Sequence, residues 1–557
     1  MHTFVEPPPP PDLARVRVPF GVGHVEGLIH GHFFLLGATL WTTGTVRLAA
    51  AASLLPSPSK TRALVRVRAL GRASAKTSMV GLPMASLSPI LAPILAHTEN
   101  HPIPDGEVRL LGAVRQVTGA MTRVETGRHR LLVDCGLAQG HDSMVFPDAA
   151  RDVDALVLTH GHLDHIGNVP TLLEGGFDKP IYATQATLQI AKLSLEDSLG
   201  MQRASDREIA RFLEHFQKLS RPLPYEQRVD LFGDSRVSLS FHEAGHILGS
   251  ASAEILSSAS RVIVSGDLGR PDSPILRDPN TAWEKGRPVD VVVMESTYGS
   301  RDHDHSHDDI ERDLERILKD AILHKAKVLI PAFAIGRTQT LLWFLNNLVE
   351  AHRIPPVPVF IDTPMGLAVT NTYRHFQRLF DKESLDKLAR GDDPLDFADL
   401  FEIKKGKDSH RLDDIEGPMI IIAGSGMVTG GRIIGHMIDG LPNPHTTVLF
   451  VGYQAEGTPG RRIQDAAKHG GRVRLNGEEV TVRARIATLK GLSAHADRKE
   501  LLAWLGHIPD VRRVALHHGD VAAQESFVSW ASGQRTEHAA HASHGPAHSH
   551  GEPTTEA

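Results

Sequence analysis

The sequence predicts an α/β protein of two or three domains, and three observations carry that expectation. At 557 residues with 41% hydrophobic content, the chain has apolar surface for several cores. Short apolar runs such as Ala155-Leu156-Val157-Leu158 and Val262-Ile263-Val264 read as buried strands and recur between stretches of helical spacing. Many of these runs stop at a polar residue of ligand or acid type. That is the signature of open α/β architectures, whose sites collect beyond the carboxyl ends of strands.

Composition removes several function classes. A single cysteine, Cys135, excludes an intramolecular disulfide framework, leaves histidine and carboxylate as the metal chemistry, and fits a reducing, cytoplasmic setting. A net charge of -6 advertises no global nucleic-acid binding, so any polyanion site must be local, made by cations, arginines and backbone amides.

Residues 1–104 differ from the rest. They open on Pro7 to Pro11 and later carry Lys60, Arg62, Arg66, Arg68, Arg72 and Lys76 with no acidic residue between. The apolar run from Phe33 to Leu55 is broken by Arg47 and by Thr42-Thr43-Gly44, which argues against a membrane span. We expect a poorly ordered extension, with a basic RNA-contacting arm and an over-extended start as alternative readings.

From Val108 the texture is α/β. Strands are expected at Val108–Gly112 and Arg130–Val133, the second ending on Asp134. The run at 155–158 leads into Thr159-His160-Gly161-His162-Leu163-Asp164-His165, three imidazoles and a carboxylate within six positions. Imidazole and carboxylate suit a borderline-soft dication such as zinc. His160 and His162, two apart on an extended segment, can face one ion while Asp164 and His165 turn toward another. Four ligands cannot close two sites, so others must arrive from elsewhere; a solvated His-rich loop is the competing reading.

They do arrive. Helical pattern spans about 184–218, a strand then leads to Gly245-His246, another ends at Ser265-Gly266-Asp267, and Val291–Met294 ends at Glu295. Arg301 to His307 looks metal-like, yet Asp308-Asp309 open a helix with apolar spacing from Ile310, so a solvated His-rich helix entry is expected there. Further βα units at 328–333, 359–362, 419–422 and 448–451 suggest a second, inserted α/β domain at 300–480. Ser493-Ala494-His495 precedes a helix at Lys499–Leu505, and Val514 to His518 ends one more strand. The tail from 536, with His538, His541, His544, His548 and His550, is low complexity and expected to be disordered.

The order His-x-His-x-Asp-His, Gly-His, Ser-Gly-Asp, each after a strand, resembles the metallo-β-lactamase superfamily, whose fold is an αββα sandwich with two metals at one edge. The resemblance implies one zinc on His160, His162 and His246, a second on Asp164, His165 and His518, Asp267 bridging, and Asp134 orienting ligands from behind. A narrower resemblance, to the β-CASP nucleases, rests on Glu295-Ser296-Thr297-Tyr298-Gly299, Phe333-Ala334-Ile335-Gly336-Arg337, Gly424-Ser425-Gly426-Met427, Gly452-Tyr453, Ser493-Ala494-His495 and His518-Gly519. The closest type is the endonuclease subunit of the cleavage and polyadenylation specificity factor and its prokaryotic relatives. It implies metallo-β-lactamase parts at 105–299 and 481–535, with a β-CASP domain at 300–480 capping the cleft. His518 at the last motif position is typical of RNA-acting members.

On this resemblance the expected function is zinc-dependent hydrolysis of single-stranded RNA, endonucleolytic in processing or decay, with 5′ exonuclease action as a second mode. Two ions roughly 3.5–4 Å apart would lower the pKa of a shared water. His495, oriented by Glu295, is the candidate general acid, and Asp267 the candidate proton acceptor. Manganese is the alternative metal. Arg337, Arg432 and the Gly424-Ser425-Gly426 turn are candidate RNA contacts, against the plainer reading of tight turns. Tyr298 and Tyr453 are expected to pack in the core rather than stack on bases. A homodimer is the candidate assembly, from the habit of related enzymes. A small-molecule metallohydrolase of the glyoxalase II or lactamase kind and a non-catalytic RNA-binding scaffold are the competing functions. The first does not need the insert, and the second is expected to lose ligands.

Overall fold

The computed structural model describes residues 94–95, 98–140, 142, 144–233 and 236–542. The expectations for the basic extension and for the tail beyond 542 lie outside them. Two seven-stranded sheets face each other. The first runs in chain order through Asn100–Ile103, Gly106–Gly112, Met121–Thr126, His129–Val133, Ala155–Val157, Ile181–Ala183 and Ser220–Pro222. The second is ordered Ile94–Leu95, Val514–His517, Val291–Glu295, Arg261–Val264, Ala251–Ser257, Val237–Glu243 and Val229–Asp230.

Alternation along the strands explains the layering. Leu131 and Val133 point into the core between the sheets with Val262, Val264, Val291 and Val293. Their neighbours point outward: Leu132 and Leu156 pack with Ile166, Leu188 and Leu195, while Ile263, Val292 and Met294 pack with Leu501, Trp504 and Phe527. Each such buried side chain contributes about 1.5–3 kcal/mol. A one-residue slip of the Arg261–Val264 strand would exchange the two faces, which fixes its register. The result is an αββα sandwich.

The second α/β unit is a six-stranded parallel sheet in the order Leu400–Glu402, Val359–Asp362, Met419–Ala423, Lys327–Pro331, Thr446–Phe450 and Arg485–Thr488. Val328, Ile330, Ile361, Ile420 and Ile422 pack on one face against the helices His307–Leu323, Arg337–Glu350 and Pro364–His375. Leu329, Ile421 and Phe450 pack on the other face against Ile433–Gly440 and Pro459–His469. The first of these cores continues into the sandwich through Ile247, Leu248, Ile275 and Leu492, and Leu248 N donates to Tyr373 Oη at 3.2 Å.

Three boundaries differ from expectation. Order begins before 105, because Ile94–Leu95 pairs with Val514-Ala515 and Asn100–Ile103 forms a hairpin with Gly106–Gly112. The insert extends past 480, because Arg485–Thr488 completes its sheet. The last helix, Val521–Ala542, runs beyond 535, where Glu537, Ala539, Ala540 and Ala542 favour helix and Gly545-Pro546 does not. Among the described residues no helix is long and apolar enough to cross a membrane.

Candidate metal centre and active site

Both sheets deliver their strand ends to one edge. Asp134 follows His129–Val133 and the residues 160–165 follow Ala155–Val157. His246, Asp267, Glu295 and His518 end or follow strands of the other sheet. The two loops carrying His246 and Asp267 touch through glycines: a Cβ on Gly269 would lie 1.9 Å from the Gly245 carbonyl oxygen. Gly245 itself sits at φ 69°, a conformation glycine adopts freely.

His160, His162, His246 and Asp267 form one group of converging donor atoms, and Asp164, His165 and His518 a second. His162 Nδ1 lies 3.1 Å from His160 Nε2 and 3.3 Å from His246 Nε2. Asp267 Oδ2 lies 3.5 Å from each of those two ε nitrogens. A tetrahedral ion with bonds of about 2.0–2.1 Å requires donors roughly 3.3–3.4 Å apart, so these residues fit one. In the second group, Asp164 Oδ2 is 3.4 Å from His518 Nε2, and Asp267 Oδ1 is 3.1 Å from His165 Nε2. Asp267 therefore offers one oxygen to each group.

Tautomers sharpen the fit. His165 Nδ1 faces the Asp134 carboxylate at 2.7 Å, so it carries the proton, and Nε2 presents its lone pair inward. That lone pair faces Asp267 Oδ1, yet neither atom has a hydrogen-bond partner although both are buried. Two orphaned acceptors aimed at one point require positive charge between them. Burial depresses the His165 imidazole, but Asp267 and Asp134 outweigh it and hold it well above its ordinary value, the same demand for a cation. Asp134, at φ 62°, also accepts from Thr159 N at 2.8 Å and Thr159 Oγ1 at 2.7 Å. His246 Nδ1 faces the Ala494 carbonyl at 3.3 Å, which turns its Nε2 lone pair inward too.

Beside the two groups, His495 Nδ1 lies 3.1 Å from Glu295 Oε1 and 3.9 Å from Asp267 Oδ2. Glu295 is fixed by the amides of Leu268 and Thr297. Burial alone would depress His495, but the Glu295 carboxylate holds it up, to about 9. His160, His165, Asp267, Glu295 and His518 are buried, whereas His162, Asp164 and His495 are partly exposed and line the open side.

The sequence reading missed His303. The segment 301–307 is indeed a helix entry, capped reciprocally by Ser306 and Asp309, but it is not solvated throughout. The His303 side chain is 7% exposed, its N donates to Asp497 Oδ2 at 2.7 Å, and its Nε2 lies 3.0 Å from the His495 carbonyl oxygen. Asp302 binds Arg498, and the Tyr298 ring stacks near His495. This segment thus clamps the loop that carries His495. The signal lay in the ion-pair complement of Asp302 and Arg498, which one sequence alone does not pair.

The candidate RNA contacts divide. Arg432 is engaged by Asp362 Oδ1 and by the carbonyls of Ile403 and Lys404. Ser425 Oγ accepts from the amides of Thr429 and Gly430, closing the glycine turn on itself. Arg337 stays unpaired at the seam between the domains. Tyr453 is 62% exposed, against the expectation of core packing, because it lies in the loop just past the carboxyl end of the strand Thr446–Phe450.

Comparison with known proteins agrees with this architecture. The metallo-β-lactamase superfamily model matches residues 115–332, the β-CASP domain model 338–463, and the model of the Zn-dependent metallo-hydrolase RNA specificity domain 479–542. The chain is 37% identical over 417 residues to Ribonuclease TTHA0252 of Thermus thermophilus, covering 73% of this chain and 92% of that one. It is 33% identical over 444 residues to Transcription termination factor FttA of Methanosarcina mazei, covering 75% and 67%. With the RNase J-like protein of Methanocaldococcus jannaschii it shares 29% over 418 residues, covering 75% and 93%. With the αββα sandwich, the inserted parallel-sheet domain and the converging edge described above, these matches place the chain in the metallo-β-lactamase superfamily, in its β-CASP branch.

Proposed function

We propose that the protein is a zinc-dependent ribonuclease that cleaves single-stranded RNA by hydrolysis, acting as an endonuclease in RNA processing or decay. The observation that carries the reading is the His495–Glu295 pair set against the two donor groups, beneath a domain whose core continues to the rim of the same cleft. His160, His162, His246, Asp164, His165, His518 and the shared Asp267 would hold a divalent pair, which would supply Lewis acidity to phosphoryl oxygens and acidify a water. The five imidazoles and two carboxylates suit zinc without excluding manganese as the working ion.

The chain's own residues do the rest. Asp267 is placed to take the proton from the attacking water. His495, with Nδ1 bound to Glu295, directs Nε2 toward the open side and holds a proton at neutral pH, ready for the departing alkoxide. Removing Glu295 would leave that imidazole without its orienting charge. The small-molecule hydrolase reading has no use for the second domain. Incubating metal-loaded protein with end-labelled single-stranded RNA, matched DNA and a thioester tests the choice: RNA cleavage is expected, and thioester turnover with intact RNA would reverse it.

A further inference from the structure

The seam between the sandwich and the inserted domain holds a second polar feature, separate from the metal-type groups. A cavity of about 40 Å³ is lined by His246, Arg270, His307, Arg337, Thr340 and Ser493 among others, and no carboxylate lines it. Arg337 opens the helix Arg337–Glu350 after Gly336, which is at φ 76° and packs on Ile247, the neighbour of His246. Its guanidinium makes no hydrogen bond or ion pair with any described residue, and its Nε is fully shielded without a partner. The other arginines of this region have partners: Arg432 has Asp362, Arg498 has Asp302, and Arg270, although its Nε likewise makes no hydrogen bond, donates from its two terminal nitrogens to the carbonyls of Gly491 and His305. Arg337 is half-buried, and a guanidinium with a shielded, unpaired nitrogen is costly unless an anion completes it.

Charge around the cavity points the same way. Burial lowers Arg337, with the nearby Arg270 adding to it, but only to about 10, so it is cationic at neutral pH. Burial and the same Arg270 depress His307 to about 4, so that imidazole stays neutral beside two cations. Size selects the ligand. One water needs roughly 10–15 Å³, so the cavity has room for the oxygens of a tetrahedral oxyanion. Position selects its source. The cavity wall includes His246, whose Nε2 belongs to the metal-type cluster, and Ser493-Ala494, which lead directly to His495.

We propose that Arg337, with Ser493 beside it, is a phosphate subsite that grips the RNA backbone phosphate adjoining the scissile one. This rests on the reading of the protein as a ribonuclease. The fork of Arg337 would take two non-bridging oxygens, a geometry that lysine cannot reproduce. Gripping one flanking phosphate sets which linkage lies over Asp267, so the subsite fixes register rather than base identity.

The test uses the full chain loaded with zinc and a labelled single-stranded RNA in which one 2′-O-methyl methylphosphonate linkage, uncharged, is moved step by step. For the wild type, kcat/KM is expected to fall about tenfold or more at one linkage next to the cleaved bond. In Arg337→Gln that position-specific loss should shrink to within about twofold, while the intact RNA is cleaved with raised KM. The slope of log KM against log salt should flatten by about 0.7. Arg337→Lys should restore the salt slope but not the full affinity. Thermal unfolding of each variant checks the fold. If Arg337→Gln fails to fold, the wild-type scan alone decides, since a scan with no sensitive flanking linkage overturns the subsite. An equal methylphosphonate penalty in wild type and Arg337→Gln overturns it as well. A wild type that cleaves no RNA overturns the ribonuclease reading and this inference with it.

Discussion

Replacing Asp134 by asparagine keeps the volume and removes one charge, and it tests how far the site depends on a residue that touches no substrate. The carboxylate holds His165 Nδ1 at 2.7 Å and accepts from Thr159 N and Oγ1 at 2.8 and 2.7 Å. An amide can serve Thr159 with its oxygen, but its NH2 group then meets Nδ1. That forces the opposite tautomer and turns a proton, rather than a lone pair, toward Asp267 Oδ1. The expected cost is about 10–100-fold in affinity at the group formed by Asp164, His165 and His518, or roughly 1.4–2.7 kcal/mol. The group formed by His160, His162 and His246 should be affected less, because His160 Nδ1 contacts Thr159 Oγ1 and only that hydroxyl is shared. Competition with a chromophoric zinc chelator should resolve one weakened and one near-normal site in Asp134→Asn. Two unaltered sites would refute the role given to Asp134, and two equally weakened ones would refute the separation of the groups.

Other predictions concern stability and positioning. His436 lies between Asp413 at 2.6 Å and Asp362 at 2.7 Å. Burial lowers it, but these carboxylates raise it to about 9. Its folded pKa is above the unfolded value of 6.5, so its stabilisation is full below pH 6.5 and is lost as pH rises through about 9, on the order of 3 kcal/mol. Urea unfolding of wild type and His436→Asn at pH 6, 8 and 10 should show the gap between them closing with pH, and a constant gap would refute it. Gly269→Ala places a methyl against the Gly245 carbonyl and should cost several kcal/mol of stability together with metal at the His246 group; a melting temperature within 2 °C of wild type, on the scale of about 0.5 kcal/mol, would contradict it. His303→Ala should lower kcat with little change in KM, since it frees the loop of His495 and touches no ligand group. A changed KM at constant kcat would show that it acts on substrate binding instead.

The site's residues were legible in sequence because each ends a short apolar run, and strand ends in such architectures share an edge. His246 and His518 are 272 positions apart, yet both follow strands of one sheet. Legibility stopped where meaning depends on a partner. Arg337 and Arg432 look alike in sequence, but only folding gives Arg432 the Asp362 carboxylate and leaves Arg337 with none. The glycine turn at 424–431 read equally as amide donors or as a turn, and the Ser425 side chain takes up two of its amides. His303 was misread because a capped helix follows it, and the contact that buries it comes from residues nearly two hundred positions later. The strand Arg485–Thr488 was missed since its two apolar residues, Ile486 and Ala487, between Arg485 and Thr488 are too few to read as a buried run, and it lies at the sheet's edge.

The central claim is that seven side chains converge on a pair of cations and that His495 stands outside that set. Metal content per chain, measured by elemental mass spectrometry after exhaustive desalting, tests it most directly. Wild type and His495→Ala should both retain two zinc ions, with RNA cleavage lost only in the variant, whereas Asp267→Ala should lose metal from both groups. A wild type that retains none, or a His495→Ala protein stripped of zinc, would contradict the account.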